Sequence, residues 1–281
     1  AYRFHRYTKF HYLLVDHNIR KKSNEEAKKI KILLKKKKIN LKLFVNKKKI
    51  LKNIQAEARK VRYEILLDYC KKNKINTILT AHNLEDQVET FFIRLSRGSG
   101  LKGLSAMERS RKVKNVNLYR PLLEVQKKFL IKISRETFGT YLKDPSNKDL
   151  KFLRTKIRNL KKTLEDSGIK YKQIFRSIQN LSDSKNTLDK YLKQKFKELI
   201  VKRNREIIIN YIEYNKLEND IKMALINAAI KKLKNNYYDL RSKKVENLIK
   251  NFKKKNFKRA TLGGCIFHRK GENLCLMVEK T

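Results

Sequence analysis

TAHNLEDQVETFFIRLSR, residues Thr80 to Arg97, is the stretch on which the fold reading turns. It is preceded by an apolar run, Ile75 to Ala81, that reads as a strand. From Leu84 onward, Leu84, Val88, Phe91, Phe92 and Leu95 repeat at helical spacing and form one stripe. His82, Asp86 and Glu89 fall together on the opposite side. A strand that runs at once into an amphipathic helix is half of a βαβ unit. The polar trio has two readings. A histidine and two carboxylates at this spacing can hold a magnesium ion or take a proton from an amine. Equally, acidic residues in a first turn favour the helix dipole, and Asn83 with Asp86 three positions on forms an N-cap arrangement.

The alternation continues upstream. Phe10 to Val15 reads as a strand, and Ser23 to Lys38 as a helix that opens with a capping box, Ser23 and Glu26. Its stripe is Ala27, Ile30, Leu33 and Leu34. Leu41 to Val45 is the next strand, and Ile54, Ala58, Val61, Ile65 and Tyr69 mark one face of a long helix. Downstream, Val116 to Tyr119 reads as a strand running into Arg120-Pro121. Strands alternating with helices of this length predict an α/β fold with a parallel sheet. Ligands of such sheets bind at the carboxyl ends of the strands. Asp16-His17, His82 to Asp86 and Arg120 should therefore converge.

The glycine-rich run Arg97 to Gly103 follows a helix, which is the wrong context for a phosphate loop. It reads as a helix C-cap and turn, with a basic loop beside a nucleotide site as the alternative. Asp144-Pro145-Ser146-Asn147 has turn composition. Arg154 and Arg158 beyond it sit one helical turn apart, either as a solvated basic face or as a grip for neighbouring phosphates.

From about Arg158 the pattern becomes amphipathic helix, broken at Asp166-Ser167-Gly168 and near Arg203-Asn204. Gly263-Gly264, Cys265-Ile266-Phe267, Lys270-Gly271-Glu272-Asn273 and Leu274 to Val278 then signal a terminal β-hairpin. These features place a boundary near Leu160, between a domain of residues 1–160 and a mostly helical one of 161–281. In the second part Tyr171, Phe175, Tyr191, Phe196, Tyr211, Tyr214, Tyr237 and Tyr238 are interleaved with basic residues. Most suit a core, and some could stack on unpaired bases. The runs Lys35–Lys38 and Lys253–Lys255 suit solvated helix ends.

Lysine and arginine number 72 against 27 acidic residues, a formal charge of +45. Part of that excess follows from a composition rich in Lys, Ile and Asn; the remainder favours a nucleic-acid partner. No apolar run approaches the roughly 18 residues needed to span a bilayer, so no membrane partner is expected. Cys70, Cys265 and Cys275 form no CxxC pair, which suggests reduced thiols in a cytoplasmic protein and argues against a zinc site.

Taken in order, these pieces resemble the tRNA(Ile)-lysidine synthetase family. The matching segments are Val15 to Arg20 (VDHNIR), Asn53 to Tyr63 (NIQAEARKVRY), Thr80 to Arg97, and Gly98 to Met107 (GSGLKGLSAM). Arg120-Pro121-Leu122-Leu123 and Asp144 to Arg158 (DPSNKDLKFLRTKIR) follow, and Leu262-Gly263-Gly264-Cys265 resembles the end of some members. The resemblance covers residues 11–160 well and the rest loosely. It implies a Rossmann-like PP-loop ATPase domain with a helical tRNA-binding domain appended. It also implies the chemistry: ATP adenylates C2 of the wobble cytidine of a tRNA(Ile) with a CAU anticodon, magnesium assists, and free L-lysine displaces AMP to give lysidine. By matching position, Asp86 and Glu89 would handle the metal or the lysine amine. His82, Arg62 and Arg154 would contact nucleotide, lysine or the adenylated intermediate, with Arg158 of the same kind. Asp16, His17 and Arg59 would line the nucleotide. A homodimer is compatible with all of this.

The sequence also departs from that family. Its Ser-Gly-Gly-x-Asp-Ser phosphate loop occurs nowhere in the chain and would fall just upstream of Ala1. The expectation is a domain lacking its first strand and phosphate loop, which alone binds ATP poorly and makes little or no lysidine. Asn83 stands where a second His is usual, Glu85 where Asp is usual, and Thr155-Lys156 where Asn-Arg is usual. A PP-loop cytidine thiolase would need paired cysteines, which the chain lacks. A non-catalytic basic RNA-binding protein is the competing reading from another class. A plain helical structural protein does not fit the alternating first half.

Overall fold

The computed structural model describes residues 10–20, 22–48, 50–51, 53–142, 151, 153–234, 240, 242–254 and 256–279. The chain divides into two compact units, Ala1–Ser182 and Asp183–Thr281.

In the first unit, β1 (Tyr12–Asp16), α1 (Ser23–Lys36), β2 (Leu41–Val45), α2 (Ile54–Lys72), β3 (Thr77–Leu79) and α3 (Leu84–Leu95) follow one another. After them come α4 (Leu101–Leu104), β4 (Ser110–Val113), β5 (Val116–Tyr119), α5 (Lys127–Phe138) and α6 (Leu153–Asp166). The division falls within α7 (Tyr171–Leu199). The expected α/β alternation is therefore present. β1 pairs with β2 in parallel, from Tyr12 opposite Leu41 to Asp16 opposite Val45. β3 pairs with β5 in parallel, and β4 closes onto β5 as an antiparallel edge. Among the described residues the sheet is thus two ladders without hydrogen bonds between them.

Apolar residues place the helices. α1 packs on β1 and β2. Leu67 and Cys70 of α2 share a core with Ile78, Val116 and Leu118 of β3 and β5. Leu84 and Val88 of α3 share another with Tyr171, Ile174 and Ile178 at the start of α7. This last core explains why the division lies beyond the boundary expected near Leu160. α6 and the first turns of α7 are fastened to α3 and stay with the first unit.

The capping box expected at Ser23 is not formed. Lys22 takes the N-cap position, the Ser23 hydroxyl donates back to the Arg20 carbonyl, and Glu26 pairs with the Arg20 guanidinium at 2.9 Å. A nearby arginine outcompetes a backbone N–H for the carboxylate.

The second unit contains β6 (Ile200–Arg203), β7 (Glu206–Asn210), α8 (Tyr211–Asn215), α9 (Asn219–Leu233) and α10 (Ser242–Phe252). It ends in β8 (Arg259–Leu262), β9 (Cys265–Lys270) and β10 (Asn273–Val278). The terminal hairpin β9–β10 is as expected, turning at Gly271 with φ +59°. It belongs, however, to a five-stranded antiparallel sheet of order β6-β7-β10-β9-β8. Ile200 to Asn210 is a strand pair and not a broken helix. Its Ile-rich run fits either element in isolation, and pairing of β7 with β10 decides for the strand. α9 packs on β7 and β10, and α10 on β8. They enclose Ile207, Ile209, Leu225, Ile226, Ile230, Val245, Phe267 and Leu276.

Candidate functional site

The site begins with how α3 starts. Asn83 is the N-cap: its side-chain oxygen accepts from the Asp86 N–H, and Asp86 Oδ2 accepts from the Asn83 N–H, both at 3.1 Å. The plain reading of Asp86 as a capping residue is therefore correct. The cap uses Oδ2, so it does not exclude a ligand on the other oxygen. Immediately upstream, His82 Nδ1 and the Thr80 hydroxyl lie 2.9 Å apart. Burial pushes the His82 pKa down to about 4, and the Arg59, Arg120 and Arg154 charges act in the same direction against Asp86. His82 is a neutral imidazole at neutral pH.

One turn further, Glu89 is only 1% exposed. Arg158 Nε donates to its Oε1 at 2.7 Å, and Arg154 Nε lies 3.1 Å from Oε2 without hydrogen-bond alignment. Arg154 also donates to the Thr90 hydroxyl at 3.3 Å. Burial raises the Glu89 pKa while Arg158 and Arg154 oppose that shift. The hydrogen bond from Arg158 in turn strengthens that guanidinium's hold on its proton. The two guanidiniums favour its ionised form against that burial. Thus charge helps hold α6 to α3, and Arg158 is the closer partner.

The remaining expected residues come from β1 and α2. Asp16, at the end of β1, is buried; its Oδ1 accepts from the Asn18 N–H at 2.9 Å, while Oδ2 has no partner among the described residues. Both ring nitrogens of His17 are also buried without a partner among the described residues. Its pKa is lowered first by burial and then by Arg62, with Asp16 opposing. Arg62 is itself lowered by burial and by the charges of Arg59 and Arg154. These mutual effects place Asp16, His17, Arg59, Arg62, His82, Asp86, Glu89 and Arg154 within one field, together with Arg120. That field reaches from the end of β1 to the starts of α3 and α6. Its excess of guanidinium over carboxylate suits an anionic ligand with several phosphate oxygens.

A hard cation fits only in part. Asp86 can offer an oxygen. Glu89 does not suit the metal role, because both of its oxygens face arginines.

A cavity of about 710 Å³ opens on one flank, lined by Glu85, Glu89, Lys127, Arg158, Lys161 and Tyr171 among others. It has metabolite size. Asp16, His17, Arg59, Arg62 and His82 do not line it. The Tyr171 hydroxyl is buried without a partner among the described residues, and burial plus the nearby Glu89 charge push its pKa up to about 12.

Several supporting residues carried no sequence signal beyond their helix positions. Gln87 makes a two-way clamp on Met107, donating to its carbonyl and accepting from its N–H, both at 2.8 Å. Arg94 donates to the carbonyls of Gly103 and Ala106 at 2.6 and 2.7 Å. These bonds fix the glycine-rich loop as a structural turn on α3. Of the candidate stacking aromatics, Tyr171, Tyr211 and Tyr214 are buried and unavailable to bases, whereas Tyr191 is exposed. Tyr237, Tyr238 and the turn Asp144 to Asn147 lie outside the described residues. No helix among the described residues is long and apolar enough to cross a membrane.

The sequence pattern of the PP-loop domain family matches residues 2–164. The chain is 30% identical over 273 residues to a tRNA(Ile)-lysidine synthase of Wolbachia pipientis wMel, covering 96% of this chain and 63% of the relative. It is 40% identical over 153 residues to that of Orientia tsutsugamushi (strain Boryong), 54% of this chain and 34% of the relative. With the Staphylococcus aureus (strain MW2) enzyme it shares 29% over 243 residues, 83% of this chain and 55% of the relative. The chain thus spans about three fifths of the length of the first of these relatives.

Proposed function

The chain belongs to the PP-loop domain family, and from that premise we propose that it carries catalytic machinery of a tRNA(Ile)-lysidine synthetase. In this reading the C2 oxygen of the wobble cytidine attacks the α-phosphorus of ATP and pyrophosphate leaves. An amine of free L-lysine then attacks C2, AMP leaves, and the amine proton passes to a base. The observation that carries the reading is the charged field at the strand ends, where Asp16 and His17 keep buried polar atoms without a partner among the described residues, beside an arginine cluster.

Each group has a role that its surroundings allow. Arg62, Arg154 and Arg59 face phosphate and the adenylate, where negative charge accumulates. Neutral His82 can accept or donate a hydrogen bond to nucleotide without adding charge. Asp86 is the available carboxylate for the lysine ammonium and its proton, or for magnesium, which would neutralise phosphate charge when bound. Glu89 is a positioning residue: it orients Arg154 and Arg158. The anticodon loop is single-stranded, so its base is reachable without opening a duplex. The charge of +45 favours holding the rest of the tRNA.

The test is nucleoside analysis of tRNA(Ile) with a CAU anticodon after incubation with ATP and L-lysine. It is run on the 281-residue chain and on a version carrying a Ser-Gly-Gly-x-Asp-Ser strand-and-loop segment ahead of Ala1. Lysidine from the extended version, with little or none from the chain alone, is expected. Robust lysidine from the chain alone overturns the expectation of an upstream phosphate loop. Folded, tRNA-binding protein that yields no lysidine in either form overturns the enzyme reading and favours a basic RNA-binding protein.

A further inference from the structure

The five-stranded sheet of the second unit has a second face. Alternation along β7, β9 and β10 sends Ile207, Ile209, Phe267, Leu274 and Leu276 into the core. The intervening residues stand on the opposite face. There Cys275 on β10 lies directly beside His268 on β9, and Glu206 lies on β7, whose Ile208 is the other neighbour of Cys275. The His268 Nε2 and Glu206 Oε1 are 3.7 Å apart. One ligand atom from each of Glu206, His268 and Cys275 can be chosen so that all three lie within 4.8 Å of one another. We propose that Glu206, His268 and Cys275 form a zinc-binding site that ties β7, β9 and β10 together.

The donor set selects the metal. A thiolate, an imidazole and a carboxylate together suit zinc better than magnesium or calcium, which prefer oxygen alone. Tetrahedral zinc with bonds of about 2.0–2.3 Å holds its ligand atoms roughly 3.3–3.8 Å apart. The His268–Glu206 separation already falls in that range. Three protein ligands leave a fourth position for water. The ligands sit on paired strands and not on loops, so their spacing is fixed by backbone hydrogen bonds. Binding transfers the Cys275 thiol proton to solvent as the Zn–S bond forms. Cys265 is on the core side and Cys70 is in the first unit, so neither can substitute as the thiolate.

The experiment is titration of the chelator-treated chain with cobalt(II), followed by displacement with zinc. One equivalent of cobalt should produce thiolate-to-cobalt charge-transfer absorption, and zinc should abolish it. Cys275→Ser should remove the band and Cys265→Ser should leave it. His268→Gln changes a partly exposed side chain, so the fold is retained and can be checked by circular dichroism. It should weaken cobalt and zinc binding by at least about tenfold. No charge-transfer band in the folded native chain, a band that survives Cys275→Ser, or unchanged affinity in His268→Gln overturns the site.

Discussion

In the first unit a fully buried position of α3, next to the apolar Val88, holds Glu89 between two guanidiniums, whereas α9 in the second unit places Leu225, Ile226, Ala229 and Ile230 at the same depth. Both helices have apolar anchors, but α3 adds a buried charge. An apolar face tolerates small changes and stabilises in proportion to buried area. A buried charge is held only while its partners stay, and it brings geometry in exchange for its desolvation cost. The first unit also buries Asp16, Gln87 and Arg120 near the same strand ends. Expensive polar burial concentrated in one place is the mark of a site, and apolar burial is the mark of a scaffold.

The largest expected effect comes from removing the charge at the centre of that contrast. Glu89→Ala leaves two guanidiniums without their carboxylate and should destabilise the first unit by about 3–5 kcal/mol, at the lower end because both arginines are partly exposed. Urea unfolding of the chain measures this. A loss below about 1 kcal/mol would show that α6 is held by something else. On the other side, Leu225→Ala opens a cavity in a fully buried core and should cost about 3 kcal/mol. Calorimetry should assign that loss to the second unit. If both variants lower one and the same transition equally, the two units unfold as one.

A smaller effect depends on pH. His82 takes up its proton near pH 6.5 in the unfolded chain and near 4 in the folded one. Its contribution is complete above pH 6.5 and is lost as pH falls toward 4, because the unfolded state binds the proton first. Stability should drop by about 1–2 kcal/mol over that window after allowance for partial exposure, and His82→Gln should remove this component. A wild-type profile that matches the variant would contradict the neutral imidazole. Smallest of all, Asn83→Ala removes the cap and should cost about 1 kcal/mol by thermal melting. A much larger loss would mean that the cap also holds the strand end.

What could be read in the chain followed from short-range rules. α3 and its cap come from an apolar stripe and an Asn placed before it, and both are satisfied within four residues. β2 and β5 have the bounds their apolar runs suggest. β6 and β7 do not read correctly, because an Ile-rich run is stable as either element until β10 pairs with it, more than 60 positions away. The pairing of Arg158 with Glu89 spans 69 positions and leaves no periodic trace.

The sequence by itself determined the alternation of the first unit, the strand-end residues and the basic charge, since each depends on local periodicity or simple counting. Only the tertiary structure decided that Glu89 serves two arginines, that the units divide within α7, and that Glu206, His268 and Cys275 meet. Those outcomes depend on strand register and helix packing, which bring together residues that no spacing rule connects.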